Sequence, residues 1–195
     1  TTYDACIDLA LLMHNSLVEE GVASYIYWQL TWGDGGLVTI STDNYTRNPI
    51  YYAMLHYSKY TDPGWRRVEA STDSSDLRIS AYISPDNTGL SIVIINPANN
   101  SIDLSLSLGA FNPTGAAVYQ TTDSVKAENI GTFDESSPLT LPGRSITTVN
   151  VGGDPDGTPR PTGTPTATPT PAPTDVPVDC SNAPEWEASA IYDTA

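Results

Sequence analysis

Basic residues are scarce in this sequence. Eight Lys and Arg stand against 23 Asp and Glu in 195 residues, a net charge of −15. Nucleic acid and anionic membrane surfaces both call for clustered cations, so neither is expected as a partner. No segment approaches the roughly 18–20 consecutive apolar residues that a bilayer-spanning helix needs. The opening Thr1-Thr2-Tyr3-Asp4 lacks the basic and apolar regions of a signal peptide, and if the protein is secreted its signal is expected upstream. Cysteine is nearly absent. Cys6 and Cys180 lie on opposite sides of a Pro/Thr-rich stretch and are not expected to pair with each other, and the chain has no zinc-type spacing. Neither a metal nor a cofactor is implied.

That Pro/Thr-rich stretch divides the chain. Residues 152–177, with Thr-Pro repeats from Thr158 to Thr174, read as an extended, disordered linker without large apolar side chains for a core. Residues 178–195 are too short to fold alone. The roughly 150 residues upstream are enough for a core, since a domain of that size buries about 68–70% of its unfolded surface.

The upstream part changes character at Gly64. Before it, Asp4–Glu20 reads as an amphipathic helix, with Ile7, Ala10, Leu11, Leu17 and Val18 on one face. Thr2 is its expected N-cap and Gly21 its stop. His14 lies in the apolar stripe and is expected to be packed and hydrogen-bonded, with no functional role. Val22–Leu30, rich in aromatic and β-branched residues, reads as a buried strand. After a Gly-rich loop, Asn48-Pro49 gives a cap and a Pro at the first helical position, predicting a helix to about Tyr60. After Gly64, short strands are expected at Trp65–Ala70, Leu77–Ser84, Leu90–Asn96, Ile102–Leu108, Ala116–Thr121, Pro138–Leu141 and Ser145–Val151, separated by turn clusters such as Pro85-Asp86-Asn87-Thr88-Gly89. This spacing predicts an antiparallel β-sandwich. Helix, strand, helix before it reads as the end of a (β/α)8 TIM barrel, whose other strands are expected upstream. The expected organisation is therefore residues 1–64 from the end of a barrel, 65–151 as sandwich, 152–177 as linker and 178–195 as the start of a further module.

Three stretches carry a family resemblance: Tyr25-Ile26-Tyr27-Trp28; Asn48-Pro49-Ile50-Tyr51-Tyr52-Ala53-Met54; and the run from Tyr57 through Asp62-Pro63-Gly64-Trp65-Arg66-Arg67-Val68. With Val93-Ile94-Ile95-Asn96-Pro97 and Leu141-Pro142-Gly143-Arg144-Ser145, they resemble the end of family 30 glycoside hydrolases, xylanase branch. The resemblance implies a secreted, extracellular, retaining endo-β-1,4-xylanase with plant cell-wall xylan as its partner. Such enzymes use two carboxyl groups about 5–5.5 Å apart, in this family two glutamates on strands that would precede Thr1. No catalytic residue is expected in this chain, which by itself should be inactive. Cys180 to Trp186, with Ala190-Ile191-Tyr192, resembles the first strand of family 5/12 carbohydrate-binding modules. Two alternatives remain open at this point: a polysaccharide-binding β-sandwich module, or a β-glucosidase or glucosylceramidase-type activity on the same fold.

The candidate substrate-binding residues are Trp28, Trp32 and Tyr27. Trp28 ends a predicted barrel strand, where the active-site residues of barrels gather, and the resemblance implies that it floors the sugar subsite beside the cleaved bond. Trp32 follows in the loop. Tyr27 points the other way along the strand and suits packing. Asp34, the lone acidic residue of the loop, reads as a turn former. In glucuronoxylan-specific members this loop carries an Arg and a Tyr that grip glucuronic acid. Here Trp32 and Asp34 fall at those places, and no basic residue appears until Arg47.

Overall fold

The computed structural model describes residues 2–33, 35–109, 111 and 115–152. The chain opens with helix α1, Tyr3–His14, which buries Cys6, Ile7, Leu9, Ala10, Met13 and His14. One widened π turn, Asn15–Glu19, extends it. Gly21 ends the element as expected, at φ 67°, with the Val22 N–H closing on the Ser16 carbonyl at 3.1 Å. Thr2 precedes the helix in extended backbone but makes no side-chain cap. His14 is packed as expected, yet among the described residues its Nδ1 has no hydrogen-bond partner. Burial lowers its pKa.

The expected strand over Val22–Leu30 does not form. Among the described residues the segment carries no strand ladder, and Thr31 makes one isolated parallel bridge to Val38. The reason is pairing, since a strand exists through its neighbours. Only the far end of this segment meets one: the Leu37 N–H donates to the Gln29 carbonyl at 3.4 Å and the Val38 N–H to the Leu30 carbonyl at 2.9 Å. Its side chains still alternate. Tyr25, Tyr27 and Gln29 are half-buried, whereas Ile26, Trp28 and Leu30 are exposed. A hairpin follows, β1 (Val38–Ile40) with β2 (Tyr45–Arg47), in a stretch that reads from sequence only as loop. Helix α2, Pro49–Ser58, starts on Pro as expected, but Asn48 makes no side-chain cap.

The sandwich forms as expected in kind. Its larger sheet has the order β3-β4-β5-β10-β7-β8, every pair antiparallel. The strands are β3 (Arg66–Val68), β4 (Arg78–Ile83), β5 (Leu90–Asn96), β7 (Ala117–Thr121), β8 (Glu128–Thr132) and β10 (Ser145–Val151). The smaller sheet pairs β6 (Ile102–Leu104) with β9 (Leu139–Leu141). The alternation expected over Ile102–Leu108 continues in burial past Leu104, but pairing stops there. β8 has no counterpart among the expected strands: all five of its residues are exposed, so it carries no apolar alternation.

β5 and β10 are buried along their whole length because both faces of the sheet are covered. On one face Leu90, Ile92, Ile94 and Val149 join Leu77, Val118, Phe133 and Leu141 in the sandwich core. On the other, Val93, Ile95 and Ile146 pack with Ile7, Met13, Ile50, Ala53 and Tyr57 of the helices. The helices and the sheet therefore share a core and belong to one compact unit. His56 of α2 fixes the join. Fully buried, it bonds Thr148 Oγ1 at 2.7 Å and Thr121 Oγ1 at 2.8 Å, and burial pushes its pKa down to about 3.

Candidate substrate-binding site

The geometry of the site follows from the alternation of residues 25–30. Tyr25 and Tyr27 pack on the helical cluster. Trp28 therefore points to the opposite side, where it is 69% exposed. The chain then turns through Trp32, which is 58% exposed, and the two indoles meet with centroids 5.6 Å apart at an interplanar angle of 50°. The two sequence-predicted tryptophans thus share one open surface. Indole rings offer flat apolar faces to pyranose C–H groups and a single donor at the rim, a combination suited to a sugar. Tyr27 lies on the packing side.

The loop that carries Trp32 is tied down from three directions. The Tyr27 hydroxyl donates to the Gly35 carbonyl at 2.8 Å. Asn48 Nδ2 donates to the Gly36 carbonyl at 2.8 Å and to the Gly33 carbonyl at 3.3 Å. The Thr39 hydroxyl donates to the Gly33 carbonyl at 2.8 Å. Gly36 is demanded by close approach, since a Cβ there would lie 2.4 Å from the Trp32 backbone nitrogen. The Gly35 and Gly36 N–H groups both close on the Trp32 carbonyl, at 2.8 and 3.1 Å. Trp32 is therefore held on a fastened turn, where sequence alone suggests only a glycine-containing loop. Asn48 is the residue that sequence reasoning misses. An Asn before a helix-opening Pro reads as a cap, but here its amide serves the loop.

Asp34 lies outside the described residues, as do residues 153–195 with the expected linker and module. Among the described residues no cluster of three or more His, Cys, Asp or Glu could hold a metal ion. A cavity of about 760 Å³ is lined by Tyr3, Asp4, Gln120, Asp123 and Arg144 among others, and includes none of the candidate tryptophans. Within it Asp4 is engaged by Arg144 at 2.5 Å.

Comparison with known proteins bears on the sheet first. Residues 64–149 match the glycosyl hydrolase family 30 beta sandwich domain. The sandwich is similar to that of family 30 glycoside hydrolases. The glucuronoxylanase XynC of Bacillus subtilis strain 168 is 25% identical over 146 residues, which are 73% of this chain and 33% of that protein. The lysosomal acid glucosylceramidase of Mus musculus is 29% identical over 72 residues, 36% of this chain and 14% of its own length. A family 30 subfamily 8 xylanase from Clostridium acetobutylicum superposes with a TM-score of 0.69 at 21% identity, over 78% of this chain and 40% of that one. A family 30 endoxylanase from Clostridium papyrosolvens C71 gives 0.68 at 24% identity, over 78% and 39%. Xylanases are thus among the proteins to which this chain is similar. These shares of the chain exceed the sandwich alone, so the similarity takes in the helical segment too. The chain spans about a third of the length of the XynC protein that it matches.

Proposed function

We propose that this chain is the C-terminal part of a secreted, retaining endo-β-1,4-xylanase, in which residues 1–64 complete a (β/α)8 barrel and residues 65–151 form its side sandwich. One observation carries the reading. Residues 25–30 are extended, turn Tyr25 and Tyr27 toward the helices, and leave Ile26, Trp28 and Leu30 facing away, with no strand ladder among the described residues. A barrel strand has this anatomy, with one set of side chains toward the helical ring and the alternate set toward the barrel interior. The partners it calls for are the upstream barrel strands. Trp28 and Trp32 would then flank the mouth of the barrel as a floor for xylan, and residues 178–195 would open a carbohydrate-binding module.

In this reading hydrolysis rests on two carboxyl groups outside the chain, one as acid/base and one as nucleophile. The tryptophans contribute by holding the sugar ring in the distorted form that approaches the transition state. The test is the enzyme with a complete barrel, assayed on xylan. Trp28→Ala should lower kcat/KM about 30- to 1000-fold, the equivalent of an aromatic anchor worth roughly 2–4 kcal/mol. Trp32→Ala should lower it less, because Trp32 stands outside the strand. A correctly folded Trp28→Ala enzyme with unchanged kcat/KM would end this placement. The isolated 195-residue chain should release no reducing sugar from xylan.

A further inference from the structure

The cavity of about 760 Å³ takes no part in the tryptophan surface. Its volume falls within the roughly 300–1,000 Å³ common to small-molecule sites. It forms where the β5–β6, β7–β8 and β9–β10 turns meet the start of α1. Turns gathered at one end of a rigid sheet are well placed to carry binding groups. The walls are fixed in advance. The Tyr3 hydroxyl donates to the Arg144 carbonyl at 2.6 Å, and the Arg144 N–H donates to the Ala98 carbonyl at 2.7 Å. A Cβ on Gly143 would lie 2.1 Å from the Asn99 carbonyl oxygen, so two of the turns touch. Arg144 has φ 54°, in the left-handed region that favours glycine. What an arginine adds at such a position is its side chain, and this one reaches Asp4 across the cleft.

The groups on these walls narrow the ligand. Asp4 neutralises Arg144. Lys126 Nζ lies against the Asp123 carbonyl at 2.6 Å, so this second carboxylate also has a cation nearby. With charges balanced locally, an ion gains little here, and the net charge of −15 further disfavours an anion. Gln120 is 7% exposed and lines the cleft. Its amide nitrogen donates to Thr147 Oγ1 at 3.2 Å, which leaves Oε1 as an acceptor without a donor among the described residues. The exposed Asn99 amide adds a donor and an acceptor, and its side chain makes no hydrogen bond among the described residues. Pro142 and Val125 supply apolar surface between these polar groups. Hydroxyls that both donate and accept, carried on a neutral ring with C–H faces, match this mixture.

We propose that this cleft at the turn end of the sandwich is a second carbohydrate site, which holds a short stretch of a neutral sugar chain through Asn99, Gln120, Asp123 and Arg144. It is lined by neither Trp28 nor Trp32 and does not depend on the reading of that pair. No sequence motif joins its residues. They come from α1 and three separate turns, and the fold alone brings them together.

The test is backbone-amide NMR of the 195-residue chain, titrated with xylotriose and, separately, with xylitol as a free polyol. Xylotriose should shift the amides of Ser124, Val125, Gly143 and Arg144 with a Kd on the order of 1 mM. Xylitol should bind about tenfold more weakly, because it is flexible and offers fewer contacts. Asn99→Ala combined with Asp123→Ala should weaken xylotriose about tenfold through lost hydrogen bonds. Both side chains are exposed, so this variant should keep the wild-type melting temperature, which is measured alongside. Trp28→Ala combined with Trp32→Ala should leave the cleft shifts in place. Xylotriose shifts confined to the segment bearing the tryptophans would overturn the cleft and leave the tryptophan reading standing. Cleft shifts of unchanged affinity in the Asn99 and Asp123 variant, or xylitol binding as tightly as xylotriose, would overturn it equally.

Discussion

Leu90–Asn96 and Tyr25–Leu30 are both short, apolar runs rich in strand-forming residues, and they end in opposite situations. β5 has β4 on one edge and β10 on the other, with every residue buried. Residues 25–30 have no ladder among the described residues, and three of their six side chains stand exposed. Composition is therefore not what separates them. Seven cross-strand positions tie β5 to β10, and the alternate hydrogen-bonded pairs among them let backbone groups exchange water for a partner. The other run keeps the period of a strand but lacks the neighbours that would make it one. Strand propensity is realised through packing and pairing, and this chain holds both outcomes within one compact unit.

The comparison can be broken most forcefully at β5. Ile95 is fully buried where the sheet meets the helices. Ile95→Ala should remove about 2–5 kcal/mol of stability through lost transfer energy and the cavity left behind. Urea unfolding measures this, and a loss under about 1 kcal/mol, well below that range, would mean that the helices do not press on this face.

A somewhat smaller effect is expected from pH at the same join. Burial holds His56 at a pKa of about 3 in the folded chain, against about 6.5 when unfolded. Between those values the unfolded state binds more protons, so stability is fully present above about pH 6.5 and declines as pH falls toward about 3. From about pH 7 to about pH 5 the decline attributable to His56 should be on the order of 2 kcal/mol. The check is to compare the pH slope of unfolding in wild type and His56→Gln. An unchanged slope in the variant would show that His56 is not the group responsible.

Much of this architecture is legible in the residues. β5 and β10 form at their expected bounds, because each is an apolar run closed by turn residues. Gly21 and Pro49 punctuate the helices as their backbone preferences require. What escapes has weak local signals. β8 is an exposed edge strand of Glu, Asn, Ile, Gly and Thr, held by its pairing to β7. The β1–β2 hairpin has only three paired positions, and it brings Arg47 beside Val38. In the site itself, the strand-end rule points to Trp28, but the meeting of Trp28 with Trp32 depends on how Asn48 and Tyr27 hold the intervening turn. Those contacts span 8 to 15 positions and follow no motif.

That fastening gives the next prediction. Asn48 is 8% exposed and supplies a donor to the Gly36 carbonyl. Asn48→Ala leaves this carbonyl without that donor and should reduce stability by about 1–2 kcal/mol. It should also loosen the Trp32 turn, seen as a change in tryptophan fluorescence anisotropy. If anisotropy and stability both stay at wild-type values, the turn is held by its other ties, the Tyr27 and Thr39 hydroxyls and the Gly35 and Gly36 N–H groups.

The smallest expected effect is at Ile26, the counterpart of Ile95 in the comparison. Ile26 is 86% exposed, on the side of the extended segment that faces away from the helices. In the 195-residue chain Ile26→Ser should change stability by no more than about 0.5 kcal/mol, as at other surface positions. In an enzyme with a complete barrel, the proposed reading turns the same side chain into the barrel interior. The substitution there should behave as a core truncation with a buried hydroxyl, and lower stability by about 2–5 kcal/mol. Urea unfolding of the two pairs of proteins measures the contrast directly. A loss above about 1 kcal/mol in the shorter chain, beyond the surface range, would show that residues 25–30 already have a partner surface there. A negligible loss in the complete enzyme would place Ile26 on an outer face, and the strand assignment of the segment would fall with it.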